Sequence, residues 1–324
     1  MPEPEGSAAT VPPIAPRDDA VPAAFDRLEL VESAEAAPAA DLFAKERRLG
    51  IGGICAIAWL VLVTAAALLA PVLPLDDPDE SFVSIVRQGP GTDGHVLGGD
   101  GLGRDLLSRL VWGAQSSLML SVGAVLLGLV VGGLLGLVAG YFRGRLDTVL
   151  SAMFDTLLSF PQIILAITLV TVFAGGGVSS TRRMVVLILS LGVVSVPVLG
   201  RITRANTLTW AEREFVQAAR AIGTRHRSIM FREVLPNVLP AMFSITLLGI
   251  AVVIVAEGGL SILGVGVQLP TPSWGNIIAE GRDDLRDAPH IVLIPTAVIF
   301  LTVLALNYLG DVVRARFDVR ESAL

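Results

Sequence analysis

The sequence predicts an all-α polytopic membrane protein with six transmembrane helices, and three observations carry this prediction. Hydrophobic residues make up 53% of the 324 residues, whereas charged residues make up only 17%. Several apolar runs reach about 20 residues, the length of helix that crosses a hydrocarbon layer of roughly 30 Å. A long polar, arginine-rich segment lies between the fourth and fifth runs, so the chain must leave the bilayer there and return to it.

Polar turns, glycine clusters and prolines separate the predicted spans. The spans cover residues 49–72, 116–139, 148–173, 184–199, 239–263 and 291–309. The chain is accordingly divided into a disordered cytoplasmic tail (1–41), a first transmembrane helix with a basic flank (42–73), an extracytoplasmic loop (74–111), a five-helix core (112–311) that contains a cytoplasmic loop (204–236), and a cytoplasmic C-terminal tail (312–324). The first tail is expected to be disordered because it has no apolar face to bury.

Arginine placement predicts which side of the membrane each loop faces. Basic residues cluster before the first span, between the second and third, from Arg201 to Arg232, and after the last span. These segments all lie on one side of a six-span chain, the cytoplasmic side by the positive-inside rule. Arg182 and Arg183 lie on the other side and count against this orientation, but the central segment alone holds seven arginines. We therefore expect both termini in the cytoplasm.

The second span carries glycines at four-residue intervals: Gly128, Gly132, Gly136 and Gly140. This spacing places them on one face of a helix and lets another helix approach closely. Before this span, glycines 99, 101 and 103 form a GxGxG string. No strand precedes the string, so a dinucleotide site is not favoured, and we expect a tight turn that opens an amphipathic surface helix at Leu106.

The central polar segment predicts a short helix over 212–222, which includes Ala218 and Ala219. Gly223 follows where the helix must stop, because glycine adopts a left-handed conformation without steric penalty. A second amphipathic segment then leads to Pro236.

Ionisable residues inside apolar spans are costly and often functional. Asp155, with Ser159 nearby, lies in the third span and Glu257 lies near the outer end of the fifth. These three residues either line a translocation path or, in the alternative interpretation, the carboxylates are structural and satisfied by partners.

The central segment resembles the EAA loop of ABC-importer permeases. The resemblance rests on a Gln-Ala-Ala triplet at 217–219, Gly223 after three intervening residues, and a Leu-Pro pair at 235–236. The stretches 95–118, 257–281 and 306–311 are similar to the dipeptide/oligopeptide permease family (the DppC/OppC type), so the resemblance covers about residues 95–320. Two residues depart from the family pattern: Gln217 replaces a glutamate and Gly99 replaces a threonine.

The resemblance implies a type I ABC importer (MetI-like) permease fold and a subunit without catalytic activity. The implied partners are a second homologous permease subunit, two cytoplasmic ATP-binding subunits, an extracytoplasmic substrate-binding protein and the lipid bilayer of a bacterial cell membrane, with no nucleic acid. The chain has no Gly-x-x-x-x-Gly-Lys-[Ser/Thr] phosphate loop. ATP and Mg are therefore expected on the partner subunits, and no cofactor is expected on this chain.

The resemblance also assigns residues. Contact with the ATP-binding subunits is expected at Phe215, Val216, Gln217, Ala218, Ala219, Arg220, Ala221, Ile222, Gly223, Arg225, Leu235 and Pro236. Contact with the binding protein is expected at Gly103, Arg104, Asp105, Ser273 and Trp274, the last also as an interfacial membrane anchor.

The cargo stays open at this point. Di- or oligopeptides are the first expectation, and relatives that carry nickel chelates, haem or glutathione supply the alternative. A secondary transporter would show internal repeats with broken helices, which the sequence lacks. The chain has neither HExxH nor GxSxG, so a hydrolase is disfavoured. Its three histidines are scattered without cysteine ligands, so no metal site is expected.

Overall fold

The computed structural model of the chain describes residues 50–175 and 178–321, and in the last helix it describes side chains as far as Ala315. The predicted N-terminal tail (1–41) and the last residues of the C-terminal tail lie outside the described residues. The basic flank of the first span also lies outside them.

The described residues form helices joined by turns, and the predicted all-α membrane architecture is confirmed. The helices are α1 (Ile51–Leu69), α2 (Leu106–Phe142), α3 (Gly144–Leu158), α4 (Gln162–Ala174), α5 (Ser180–Ala211), α6 (Glu214–Ala221), α7 (Leu235–Ile262), α8 (Trp274–Gly281) and α9 (His290–Glu321). A helical turn (His226–Ser228) and a π-helical turn (Ile229–Val234) lead directly into α7. Five helical segments are long and apolar enough to cross a membrane, and α3 with α4 makes a sixth if the pair is one span.

The third span differs from the prediction of one continuous helix over 148–173. The chain forms α3 and α4 instead, and their axes meet at 88°. The break contains Pro161, which precedes α4 with non-helical backbone angles (φ −56°, ψ 120°). Proline has no backbone N–H and disfavours a helical conformation at the residue before it. Here the helix is interrupted at residues 159–161.

Other spans are longer than their apolar cores. The expected surface helix at Leu106 is not separate, because it forms the first turns of α2. The fourth span was predicted over 184–199, but α5 continues to Ala211. Arg201 and Arg204 on this extension pair with Asp155 and Asp147 of α3, so the polar end of α5 stays helical. The arginine-rich loop is consequently shorter than predicted and covers residues 212–225.

The glycine face of α2 packs directly on α5, as the spacing predicts. A Cβ on Gly128 would lie 2.6 Å from Cβ of Ser195, and one on Gly140 would lie 2.7 Å from the carbonyl oxygen of Arg204. Gly132 and Gly136 face the backbone of α5 in the same way. Side chains at these positions would push the two helices apart, so α2 and α5 form one closely packed unit.

A buried cluster joins the helices at the end of the bundle that carries the arginine-rich loop. It draws on α2, α5, α6, α7 and the π-helical turn, and we call it the loop-end cluster. Its members are Leu137, Tyr141, Trp210, Ala211, Val216, Ile229, Met230, Val234, Val238 and Met242. The loop is therefore seated on the bundle rather than detached from it.

Candidate functional site

The arginine-rich loop is built around α6, a helix of eight residues that ends as the sequence predicts. Gly223 follows it with φ +78°. The N–H of Gly223 donates to the carbonyl of Arg220 (3.0 Å), and the N–H of Thr224 donates to the carbonyl of Ala219 (3.1 Å). This pair of bonds is a Schellman motif, which places a left-handed residue after the helix and turns the chain back.

One side chain fastens α6 to the bundle, while most of its other residues are exposed. Val216 is completely buried in the loop-end cluster. Ile222 is 83% exposed and Phe215 is 40% exposed. Ala218 is exposed, and Ala219 packs partly against the cluster. The outer face of α6 thus combines exposed apolar side chains with small ones, and its role as a docking surface for the ATP-binding subunits stays a prediction.

The remaining residues predicted for this surface divide into two groups. Gln217, Arg220, Ala221 and Arg225 are exposed on the loop with Gly223, and Gln217 donates its side-chain amide to the carbonyl of Glu212. The Leu-Pro pair at 235–236 lies in the first turn of α7 instead. Its leucine packs partly against the loop-end cluster, whereas its proline is exposed.

The residues predicted for a translocation path do not form one contact set. Asp155 is exposed at the end of α3, where Arg201 donates a hydrogen bond to it. Ser159 follows α3 and donates to the carbonyl of Thr156. Glu257, in contrast, lies near the C-terminal end of α7 and contacts Ser261 and Ser273. The structure therefore gives each carboxylate polar partners, which sequence reasoning could not name.

Glu257 is 1% exposed and joins α7 to α8. Its Oε1 accepts hydrogen bonds from Oγ of Ser261 (2.8 Å) and Oγ of Ser273 (2.9 Å). A Cβ on Gly275 would lie 2.8 Å from Oε2 of Glu257. The carboxyl group therefore fits against the first turn of α8, and a glycine is required there.

The start of α8 is buried, which corrects the expectation that Trp274 anchors the chain at the membrane interface. Trp274 is 1% exposed, its backbone N–H donates to Oγ of Ser117, and its indole N–H donates to the carbonyl of Leu110 (both 3.1 Å). Ser273 is fully buried and forms a capping box with Asn276. These bonds attach α8 to the first half of α2.

The loop before α2 and the segment around α8 meet through buried ions, and we call residues 76–105 with 268–290 the distal platform. Arg104 bonds to Asp100 (2.7 Å) and to Glu280, and Arg109 approaches Glu280 at 3.4 Å. Burial lowers the pKa of the Arg104 guanidinium, but hydrogen bonds and charges from Asp100 and Glu280 outweigh burial and raise that pKa above its ordinary value. The two segments are therefore held together as one surface.

The residues predicted to contact a binding protein lie inside this platform. Gly103 adopts φ +77° in the tight turn that the glycine string predicts. Asp105 caps α2 by accepting a hydrogen bond from the N–H of Ser108 (2.7 Å). Arg104, Asp105, Ser273 and Trp274 are at most 5% exposed. They hold the platform together, and a docking protein would meet the exposed residues around them.

Two features of the platform escaped the sequence reading. His95 Nδ1 lies 3.0 Å from Oδ1 of Asp105 and 3.4 Å from Oδ2 of Asp76, so this histidine is bonded to carboxylates rather than isolated. An open cleft of about 480 Å³ lies beside it, lined partly by Asp77, Trp112 and the 270–272 turn. Neither feature has a local sequence signal, because its residues come from separate segments.

Comparison with known proteins shows that the chain is similar to membrane components of transport systems. Residues 132–322 match the family model described as binding-protein-dependent transport system inner membrane component. The chain is similar to the glutathione transport system permease protein GsiD of Escherichia coli, with 35% identity over 297 residues that cover 91% of this chain and 95% of the relative. It is 36% identical over 272 residues to the protein of the same name from Shigella sonnei, covering 84% and 87% of the two chains.

The fold is similar to that of solved permease chains. In crystal structures of inward-facing conformations of the MetNI methionine ABC transporter, the matching chain superposes with a TM-score of 0.54 at 21% identity. The superposition covers 65% of this chain and 97% of that one. A second crystal form of the same transporter gives a TM-score of 0.53. At this identity the likeness concerns the fold.

Proposed function

The chain belongs to the family of binding-protein-dependent transport system inner membrane components, and from that premise we propose that it couples ATP hydrolysis on separate subunits to the import of small peptides. It is a multi-pass membrane protein and a non-catalytic permease subunit of an ABC importer. The arginine-rich loop is the part of the molecule that receives the force of ATP hydrolysis.

The geometry of α6 carries this proposal. A separate ATPase can move transmembrane helices only through a firm contact on the cytoplasmic face. The loop supplies a short helix fastened by Val216, with exposed Ile222 and Phe215 and a fixed turn at Gly223. Small residues at Ala218 and Ala219 let the helix enter a groove on the partner.

The proposed complex contains this chain, a second homologous permease subunit, two cytoplasmic ATP-binding subunits and an extracytoplasmic substrate-binding protein. ATP and Mg bind to the ATP-binding subunits, and this chain binds no cofactor. The complex lies in the bacterial inner membrane. The exposed surface of the distal platform, including the cleft near Asp77 and Trp112, faces the binding protein.

For the cargo we propose a small peptide, and glutathione is the first candidate because similar proteins carry that name. Glutathione is itself a tripeptide, so it satisfies both the peptide expectation and the relatives. A nickel chelate or haem is the alternative within the same class of transporter.

Reconstitution of the whole importer in proteoliposomes tests the function. We expect uptake of labelled glutathione or dipeptides that requires ATP, both permease subunits and the binding protein. Uptake that proceeds without ATP, driven by an ion gradient, would instead indicate a secondary transporter. Uptake of haem or a nickel chelate with no competition from peptides would retain the importer and remove the peptide cargo.

The orientation of the chain follows from the same proposal and has its own test. The arginine-rich loop and both termini lie in the cytoplasm, and the distal platform lies outside. Reporter fusions ending at Asp93, in the platform, and at Thr224, in the loop, are expected to show opposite sidedness. If both reporters are active on the same side of the membrane, the six-span topology is wrong.

A further inference from the structure

Helix α2 is the element that reaches from the distal platform to the arginine-rich loop. It has 37 residues, which at 1.5 Å per residue makes a rod about 55 Å long. Its first turn is capped by Asp105 within the platform. Its last turn contains Tyr141, the next-to-last residue of the helix.

Tyr141 contacts both the arginine-rich loop and the helical turn that follows it with one side chain. It is 4% exposed. Its hydroxyl lies 3.1 Å from Nδ1 of His226, which follows the Gly223 turn. The guanidinium carbon of Arg220, on α6, lies 5.2 Å from the centre of its ring. The ring therefore takes part in a cation–π contact and the hydroxyl in a hydrogen bond, on the two sides of the turn.

The rod is also rigidly connected along its length. Its glycine face packs on the backbone of α5, so α2 and α5 have little freedom to slide past each other. Near its other end, the carbonyl of Leu110 and the hydroxyl of Ser117 hold Trp274 of α8. A continuous set of contacts thus runs from the loop through Tyr141 and α2 to the platform.

We propose that Tyr141 is a positioning residue that fixes the arginine-rich loop to α2, so that movement of the loop is transmitted along this rod to the distal platform. This inference rests on the proposed function, because it names the path by which force received at the loop reaches the other side. Loss of the hydroxyl uncouples the two sides, while the buried ring keeps its packing.

The test uses the complete importer in nanodiscs and the ratio of ATPase activity with glutathione-loaded binding protein to activity without it. In Tyr141→Phe we expect this ratio to fall about fivefold, the factor expected from loss of one ordinary hydrogen bond. Tyr308→Phe is the matched control, because Tyr308 is the other tyrosine of the chain and lies on α9, away from the loop. Its ratio is expected to equal that of the original protein.

A double-mutant cycle separates this role from general weakening of the loop. His226→Phe removes the same hydrogen bond from its exposed side, where substitution leaves the core intact. We expect it to lower the ratio as Tyr141→Phe does, and the combined variant to be no worse than either alone.

An unchanged ratio in Tyr141→Phe, or strictly additive losses in the cycle, would overturn the role of Tyr141 while the proposed importer stands. Absence of stimulation by the loaded binding protein in the original complex would instead overturn the proposed function together with this inference.

Discussion

Replacing Gly223 by valine is expected to leave the chain inserted in the membrane and to abolish both stimulated ATPase activity and uptake. Gly223 has φ +78°, in the left-handed region. The left-handed conformation costs a residue with a Cβ about 1–2 kcal/mol, and it costs a β-branched residue more. Because a Cβ at this position meets no atom within 4 Å, the effect comes from the backbone turn and not from a clash. The turn relaxes, and α6 no longer meets its partner in the required orientation.

Gly264→Val is the matched control for this experiment. Gly264 also has a positive φ (+77°) and open space around its Cβ position, but it follows α7, outside both the arginine-rich loop and the distal platform. It carries a similar backbone penalty, so any general loss of stability appears in both variants. We expect stimulated ATPase activity to survive in Gly264→Val. Equal losses in the two variants, or normal transport in assembled Gly223→Val, would contradict the coupling role of the loop.

Bulk added to α6 tests the same contact in a second way. Ala219→Trp is expected to abolish stimulated ATPase activity and uptake as well. Ala219 packs partly on the loop-end cluster, however, so this change disturbs both the seat of the helix and its docking face. Ala218 is exposed, and Ala218→Trp therefore reports docking alone. We expect uptake to be lost in both variants.

Removing the carboxyl group of Glu257 is expected to lower the stability of the protein, and this is the second large effect that we predict. Glu257→Ala leaves the hydroxyls of Ser261 and Ser273 without their acceptor in a buried site. A buried donor left without its acceptor costs about 1–3 kcal/mol, and two donors lose their acceptor, so we expect a loss of about 3 kcal/mol in the free energy of unfolding. The start of α8 separates from α7, and limited proteolysis should cut the 264–281 segment faster.

Two variants show whether the buried bonds cause this loss. Glu257→Gln keeps an oxygen acceptor and nearly the same volume, so most of the stability should return. Glu212→Ala removes a glutamate that is 65% exposed and pairs with Arg143 at the surface; such pairs contribute about 1 kcal/mol or less. An equal unfolding midpoint for Glu257→Ala and the original protein would show that α8 is held by other contacts.

The features that the sequence predicted correctly depend on residues close together along the chain. Long apolar runs indicate membrane-spanning helices because every backbone polar group in lipid must be bonded within its own segment. Glycines repeated every four residues in α2 lie on one face, and they do pack on a neighbouring helix. Gly223 ends α6 because a left-handed conformation after a helix is a local requirement. The motif of the central loop likewise lies within some 20 residues and indicated the family.

The ends of the helices and the partners of the charged side chains were harder to predict from the sequence. Pro161 lies in the middle of an apolar run, and its effect could have been a kink or a break; the structure shows an 88° break. The polar extension of α5 stays helical because Arg201 and Arg204 find aspartates on α3. Because these aspartates lie on a different helix, the sequence of α5 alone does not identify them as the partners.

The sequence was least informative about which side chains are buried and what they contact. Trp274, with its flanking prolines and polar neighbours, has the composition of an exposed loop, yet its indole is bonded to Leu110 on another helix. Tyr141 shows no special pattern in the sequence and becomes important only because His226 and Arg220 lie against it. Periodicity and turn chemistry act over a few residues and can be read along the chain, whereas these contacts join residues 79 to 164 positions apart and depend on how the helices pack.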